Sequence, residues 1–217
     1  MASSHPAVLA GARSAVTPLL ESGLTRILVG IAGPPAAGKS TLAVTLATAL
    51  RTEYGPDAAV AVPMDGFHLA NAQLARLGLS DRKGAPETFD GAGFAALLRR
   101  LRAPADDEVV YAPEYSRVLH ESIGGAIPVP AAVRVVVVEG NYLLLPRPPW
   151  DAVRPVLDLA LYLEAPAPVR VDALIRRQLS RGLEPVAAVD WVERSDEVNA
   201  TLIAGTRRYA DVVLSRP

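Results

Sequence analysis

Apolar runs and apolar stripes alternate along the chain. Ile27 to Ile31 is a continuous apolar run rich in β-branched residues, and the valine block between Arg134 and Glu139 is wholly β-branched. Ala58 to Met64, Leu157 to Leu163 and Ala210 to Leu214 are further mainly apolar stretches. Each reads as a strand covered on both faces, as in a parallel sheet. Between them the apolar residues recur at helical spacing. Residues 6–22 carry Val8, Leu9, Ala12, Ala15, Val16, Leu19 and Leu20 on one stripe. Residues 39–52, 91–102, 167–182 and 189–207 also read as helices, with a short one at 69–78. Residues 107–130 read as an irregular excursion with room for a hairpin. Strands alternating with helices predict a three-layer α/β domain spanning 1–217, with five mostly parallel strands.

Composition narrows the setting. With 217 residues, half of them hydrophobic, the chain can bury one sizeable core. A net charge of −1 gives no nucleic-acid footprint. There is no cysteine, hence no disulfide framework and no thiolate chemistry. Arg13 and Pro18 interrupt the N-terminal apolar stretch, and no run is long enough to span a membrane. A cytoplasmic protein without membrane or nucleic-acid partners is expected.

The first strand runs straight into Gly33-Pro-Pro-Ala-Ala-Gly38-Lys39-Ser40, and a helix follows at once. That is the GxxxxGK[ST] spacing in its strand–loop–helix context. Backbone N–H groups and a helix N-terminus make an anion-binding concavity. Lys39 suits the β/γ-phosphates and the Ser40 hydroxyl suits Mg2+. Gly33, Pro34, Ala36, Ala37, Gly38, Lys39, Ser40 and Thr41 are therefore the expected nucleotide positions. Of 22 basic residues 20 are arginine, and Lys39 is one of two lysines. A compact ammonium is kept where a point charge suits phosphate.

Ligands of open α/β sheets bind beyond the carboxyl ends of the strands. That rule selects Asp65, after the second strand, and Glu139, after the third. Asp65 is placed to accept a proton from an acceptor hydroxyl; the bland alternative is a turn residue before Gly66. Glu139 ends an apolar run as a Walker B carboxylate does, although Asp is usual there. It could hold Mg2+ or face the acceptor, or be a solvated strand end. The helix at 167–182 is basic, with Arg170, Arg176, Arg177 and Arg181. Arg177 and Arg181 share a face and could cover a transferring phosphoryl group, as a lid does. His68 and His120 lack metal-ligand spacing, but Tyr115 and His120 could line an acceptor pocket. Trp150 and Trp191 read as packing residues.

With these residues in place the chain resembles the P-loop kinases that include uridine kinase, type I pantothenate kinase and phosphoribulokinase. It looks most like small bacterial nucleoside/nucleotide kinase-family proteins, some labelled as kinases of fructose uptake systems. GPPAAGKST (33–41), MDGFHL (64–69), RKGAPETFD (82–90), YAPEYS (111–116), VVVVEGNYLLL (135–145) and RRQLSRG (176–182) carry the resemblance. It implies a nucleotide kinase-like fold, with ATP and Mg2+ on Lys39 and Ser40. It implies Asp65 as base, Glu139 near the acceptor, and lid arginines at 177 and 181 within a lid of about 167–188. The acceptor side lies in an excursion of about 66–130, and the resemblance is compatible with a homodimer. The stretch 83–86 lacks the aromatic-Asp-His pattern of uridine kinases, and Arg117 stands where pantothenate kinases have His. The reaction class carries over and the acceptor does not.

The expected function is transfer of the ATP γ-phosphoryl group to a hydroxyl of a small metabolite: a nucleoside, sugar or pantothenate-like alcohol. His68, Lys83, Tyr115, Arg117 and His120 are the expected acceptor contacts. The alternative is an ATPase or switch without a small acceptor. With lysines only at 39 and 83, the chain has no Asn/Thr-Lys-x-Asp base-reading motif of a GTPase. A third reading, a nucleotide-binding protein without chemistry, is opposed by intact Lys39, Ser40, Asp65 and Glu139.

Overall fold

The computed structural model describes residues 5–216. The extreme ends of the expected 1–217 domain therefore lie outside the described residues. Five strands form one parallel sheet: β1 (Ile27–Ala32), β2 (Ala59–Pro63), β5 (Val135–Glu139), β6 (Leu159–Glu164) and β7 (Val212–Ser215), in the order β2-β5-β1-β6-β7. The helices are α1 (Pro6–Glu21), α2 (Lys39–Tyr54), α3 (Asn71–Leu77), α4 (Gly91–Arg102), α5 (Ala167–Ser180), α6 (Pro185–Trp191) and α7 (Glu197–Ala204). The excursion at 107–130 is more regular than its sequence suggests. It holds an antiparallel hairpin, β3 (Val110–Ser116) with β4 (Glu121–Val129), and a register shift between Ala112 and Glu114.

The unbroken apolar runs are explained by the two cores. Successive strand residues point to opposite faces. Ile27, Val29 and Ile31 of β1 meet Val135 and Val137, under α1 and α2. Leu28, Val136 and Val138 face the other core, which holds Phe94 and Leu98 of α4 with Trp150. Both faces of the central strands are thus dry. Trp150 packs as expected, 1 % exposed.

The segment at 189–207 departs from a single helix. The helical path starts at Pro185 and is interrupted by a π-turn at Val192–Asp196 before α7. One extra residue in that turn shifts the register of everything after it.

Arg26 holds the bottom of the sheet. It is 5 % exposed, and its guanidinium donates to the carbonyls of Val133, Leu101, Pro130 and Ala131 at 2.9, 2.9, 2.6 and 2.9 Å. One side chain thereby ties β1 to the end of α4 and to the exit of the hairpin. Arg26→Met is expected to cost about 3 kcal/mol, because buried carbonyls lose charged donors. That corresponds to a fall in melting temperature of roughly 6–12 °C for a chain of this size. Calorimetry checks it, and an unchanged melting temperature would refute the assignment.

Candidate functional site

The sheet order brings the three strand ends together. β5 lies between β1 and β2, and its last residue, Glu139, is in register with Ile31 of β1 and Pro63 of β2. The loop after β1, Glu139 itself and Asp65, just beyond β2, therefore open side by side onto one cleft of about 520 Å³.

The loop is shaped by backbone geometry. Gly33 has φ +150°, and a Cβ there would lie 2.2 Å from the Leu163 carbonyl oxygen of β6. Gly38 has φ +103° and caps the N-terminus of α2. Ala36, Gly38, Lys39, Ser40 and Thr41 line the cleft, as does Pro35. Gly33, Pro34 and Ala37 do not. Gly33 lies against β6, Ala37 is packed in the α2 core, and the Pro34 carbonyl accepts a hydrogen bond from Lys39. These three shape the loop from behind its cleft-lining residues.

Lys39 is buried. Its Nζ donates to Pro34 O at 2.9 Å and to Asn141 Oδ1 at 2.6 Å. Burial lowers its pKa to about 8, against the opposing charges of Glu139 and Asp65. Ser40 Oγ donates to Glu139 Oε1 at 2.8 Å. Burial, then the charge of Asp65, raises Glu139 to about 7. For both groups desolvation outweighs attraction between them.

That shift has a measurable consequence. An unfolded glutamate titrates near 4.5, so the folded chain holds this proton more tightly. The stabilising contribution is complete below that pH and is lost as pH rises through about 7. Urea unfolding of the ligand-free protein should show stability falling by up to roughly 3 kcal/mol between about pH 5 and about pH 7.5. Glu139→Gln should remove that part of the slope. An identical slope in the variant would contradict it.

The far wall comes from the excursion. His68, Lys83, Tyr115, Arg117 and His120 all line the cleft. The His68 ring lies between Phe89 and Tyr115, with centroids 4.0 and 4.8 Å away. Its Nδ1 donates to Asp65 O at 2.8 Å, since a carbonyl can only accept, so Nε2 keeps the free lone pair. Burial lowers the pKa of this imidazole and favours the neutral ring. Lys83 Nζ donates to Asn71 Oδ1 at 2.5 Å and to His120 O at 2.9 Å, and sits 5.2 Å from the Tyr115 ring centre. The hairpin is thereby fastened over the start of α3.

The basic helix α5 divides its arginines. Arg177 and Arg181 line the cleft. Arg170 is buried and paired with Glu197 at 2.9 Å, joining α5 to α7. Arg176 pairs with Asp172 on the outer face. Sequence reasoning missed Asn141, Gln178, Asp196 and Asn199, which also line the cleft. Asp196 is raised by burial despite Arg177 and Arg181 nearby, and its Oδ2 has no hydrogen-bond partner. Trp191, expected in packing, lines the cleft as well and carries Arg194 over its ring.

Among the described residues no group of three His, Cys, Asp or Glu could hold a metal. The Ser40 and Glu139 oxygens do form a hard-oxygen pair, which suits Mg2+ when phosphate oxygens supply the remaining ligands. No helix among the described residues is long and apolar enough to cross a membrane.

Comparison with known proteins places this geometry in context. A family model described as phosphoribulokinase / uridine kinase matches residues 28–217. A Schizosaccharomyces pombe protein provisionally named a uridine kinase is 33 % identical over 197 residues, which is 88 % of this chain and 83 % of that one. The pantothenate kinase of Paenarthrobacter aurescens is 35 % identical over 65 % of this chain but only 45 % of its own length. A crystal structure from Silicibacter sp. TM1040, provisionally described as a fructose transport system kinase, superposes with a TM-score of 0.86 at 38 % identity, over 97 % of this chain and 98 % of that one.

Proposed function

Because the chain belongs to the phosphoribulokinase / uridine kinase family, and is therefore a kinase, we propose that it transfers the γ-phosphoryl group of ATP to a hydroxyl of a small metabolite. The observation that carries this reading is the convergence of Lys39, Ser40, Glu139 and Asp65 on one cleft at the carboxyl ends of β1, β5 and β2.

On this reading the loop after β1 cradles the triphosphate and Lys39 contacts its β/γ end. The phosphates would add negative charge beside an ammonium whose burial outweighs the pull of Glu139 and Asp65. Ser40 and Glu139 would hold Mg2+ together with phosphate oxygens; bound there, the ion supplies charge neutralisation at the β- and γ-phosphates. The acceptor lies against His68, Tyr115 and the hairpin. Asp65 takes the hydroxyl proton as the acceptor oxygen bonds to the γ-phosphorus and the bond to the ADP oxygen breaks. Residues 167–188 act as a lid. Arg177 and Arg181 cover the transferring group and exclude water. A cytoplasmic enzyme, alone or as a homodimer, is in keeping with the need for ATP.

A metabolite panel scored by ADP release tests this. Turnover that is slow with ATP alone and rises steeply with one metabolite supports the kinase. Equal turnover with and without every metabolite favours an ATPase or switch.

A further inference from the structure

Five cationic side chains line the cleft: Lys39, Lys83, Arg117, Arg177 and Arg181. Among the described residues none of them forms an ion pair, whereas nine arginines elsewhere do. Three carboxylates share the cleft, and each is already engaged. Glu139 accepts from Ser40, Asp196 lies in the field of Arg177 and Arg181, and the charge of Asp65 acts on Lys39 and His68.

Phosphoryl transfer occupies Lys39, Arg177 and Arg181. Lys83 and Arg117 are left over, and both stand on the acceptor wall. Lys83 spends two of its three N–H groups on Asn71 and His120, leaving one to aim into the cleft. Arg117 sits in the turn between β3 and β4 and makes no hydrogen bond or ion pair among the described residues. It reaches far enough inward that its charge acts on both Glu139 and Arg177. A neutral acceptor would leave two cations, gathered beside a third and a fourth, without counter-charge. Such like-charge crowding costs free energy unless an anion answers it. The chain also has only two lysines, and both are in this cleft.

We propose that the acceptor is itself an anion: a hydroxyl-bearing metabolite with a carboxylate or phosphate monoester, held by Lys83 and Arg117 while its hydroxyl meets Asp65. This rests on the kinase reading and narrows it. Uncharged nucleosides and free sugars fall outside the class.

The test uses a small-molecule metabolite extract, freed of nucleotides and split on an anion-exchange resin. Both fractions are added to the full chain with MgATP and scored for ADP release. The expected result is acceptor activity in the retained fraction alone. Phosphatase treatment of that fraction, with the enzyme filtered out before the assay, separates the sources: loss of activity means a phosphate ester, and survival means a carboxylate. With the active fraction, Arg117→Met and Lys83→Met should each lower kcat/KM by roughly 10- to 100-fold, as loss of a charge-assisted hydrogen bond does. Arg117→Lys should recover part of that loss. Melting curves establish that the variants fold. Activity in the flow-through, or full activity of both methionine variants, would overturn this inference and leave the kinase standing. Silence of both fractions would overturn the kinase reading itself.

Discussion

Lys39→Ala is expected to lose on the order of 10³-fold in kcat/KM for ATP, the scale of removing a preorganised charged donor from a developing phosphate charge. The side chain is 7 % exposed and pinned between Pro34 O and Asn141 Oδ1, so its ammonium has one direction left for a ligand. Both nucleotide affinity and rate should fall, as seen by nucleotide titration and steady-state kinetics. Stability should not fall with them. Burial already penalises this charge, as its lowered pKa reports. A variant that melts near the parent temperature yet fails to turn over would separate chemistry from folding. Wild-type affinity and rate would remove the loop assignment.

Asp65→Asn should behave differently. The amide has the shape of the carboxylate and can still hydrogen-bond the acceptor, but it cannot take a proton at neutral pH. ATP affinity should stay near the parent value while kcat drops about 10²-fold or more, the scale of losing a general base. Its carbonyl role, accepting from His68, is untouched by the change, so the far wall keeps its form. A loss confined to nucleotide affinity would make Asp65 a binding residue. Near-normal kcat would remove it as the base.

The two readings differ in how much of each was legible. The five strands could be found because both faces of the sheet are covered, which leaves unbroken apolar runs in β1 and β5. The phosphate loop was legible because its chemistry is local, held within eight residues between one strand and one helix. What the motif could not tell was which of its residues face inward. Gly33 and Ala37 match the pattern as well as Gly38 does, yet they serve β6 and the core.

The missed residues share a cause. Asn141 reaches Lys39 across 102 positions of chain, and the four carbonyls on Arg26 are equally remote in sequence. Such contacts are products of topology and leave no periodic trace. Asp196, at the end of a π-turn, and Asn199, just beyond it, turn toward the cleft where the 3.6-residue register used to assign faces no longer applies. Trp191 lies before that turn, at the end of α6, where it lines the cleft. Arg170 carries the same charge as Arg177, and only the tertiary position of Glu197 diverts it, whereas the Asp172–Arg176 pair is a local i,i+4 contact on α5.

The central claim is that phosphoryl passes from ATP to an alcohol lying between Asp65 and the loop. Following the label from γ-³²P ATP tests it most directly. In the presence of the acceptor, label should appear in an acid-stable organic phosphate ester with the parent chain, and about 10²-fold or more slowly with Asp65→Asn. Label released only as inorganic phosphate, at one rate whether or not any metabolite is present, would contradict the account.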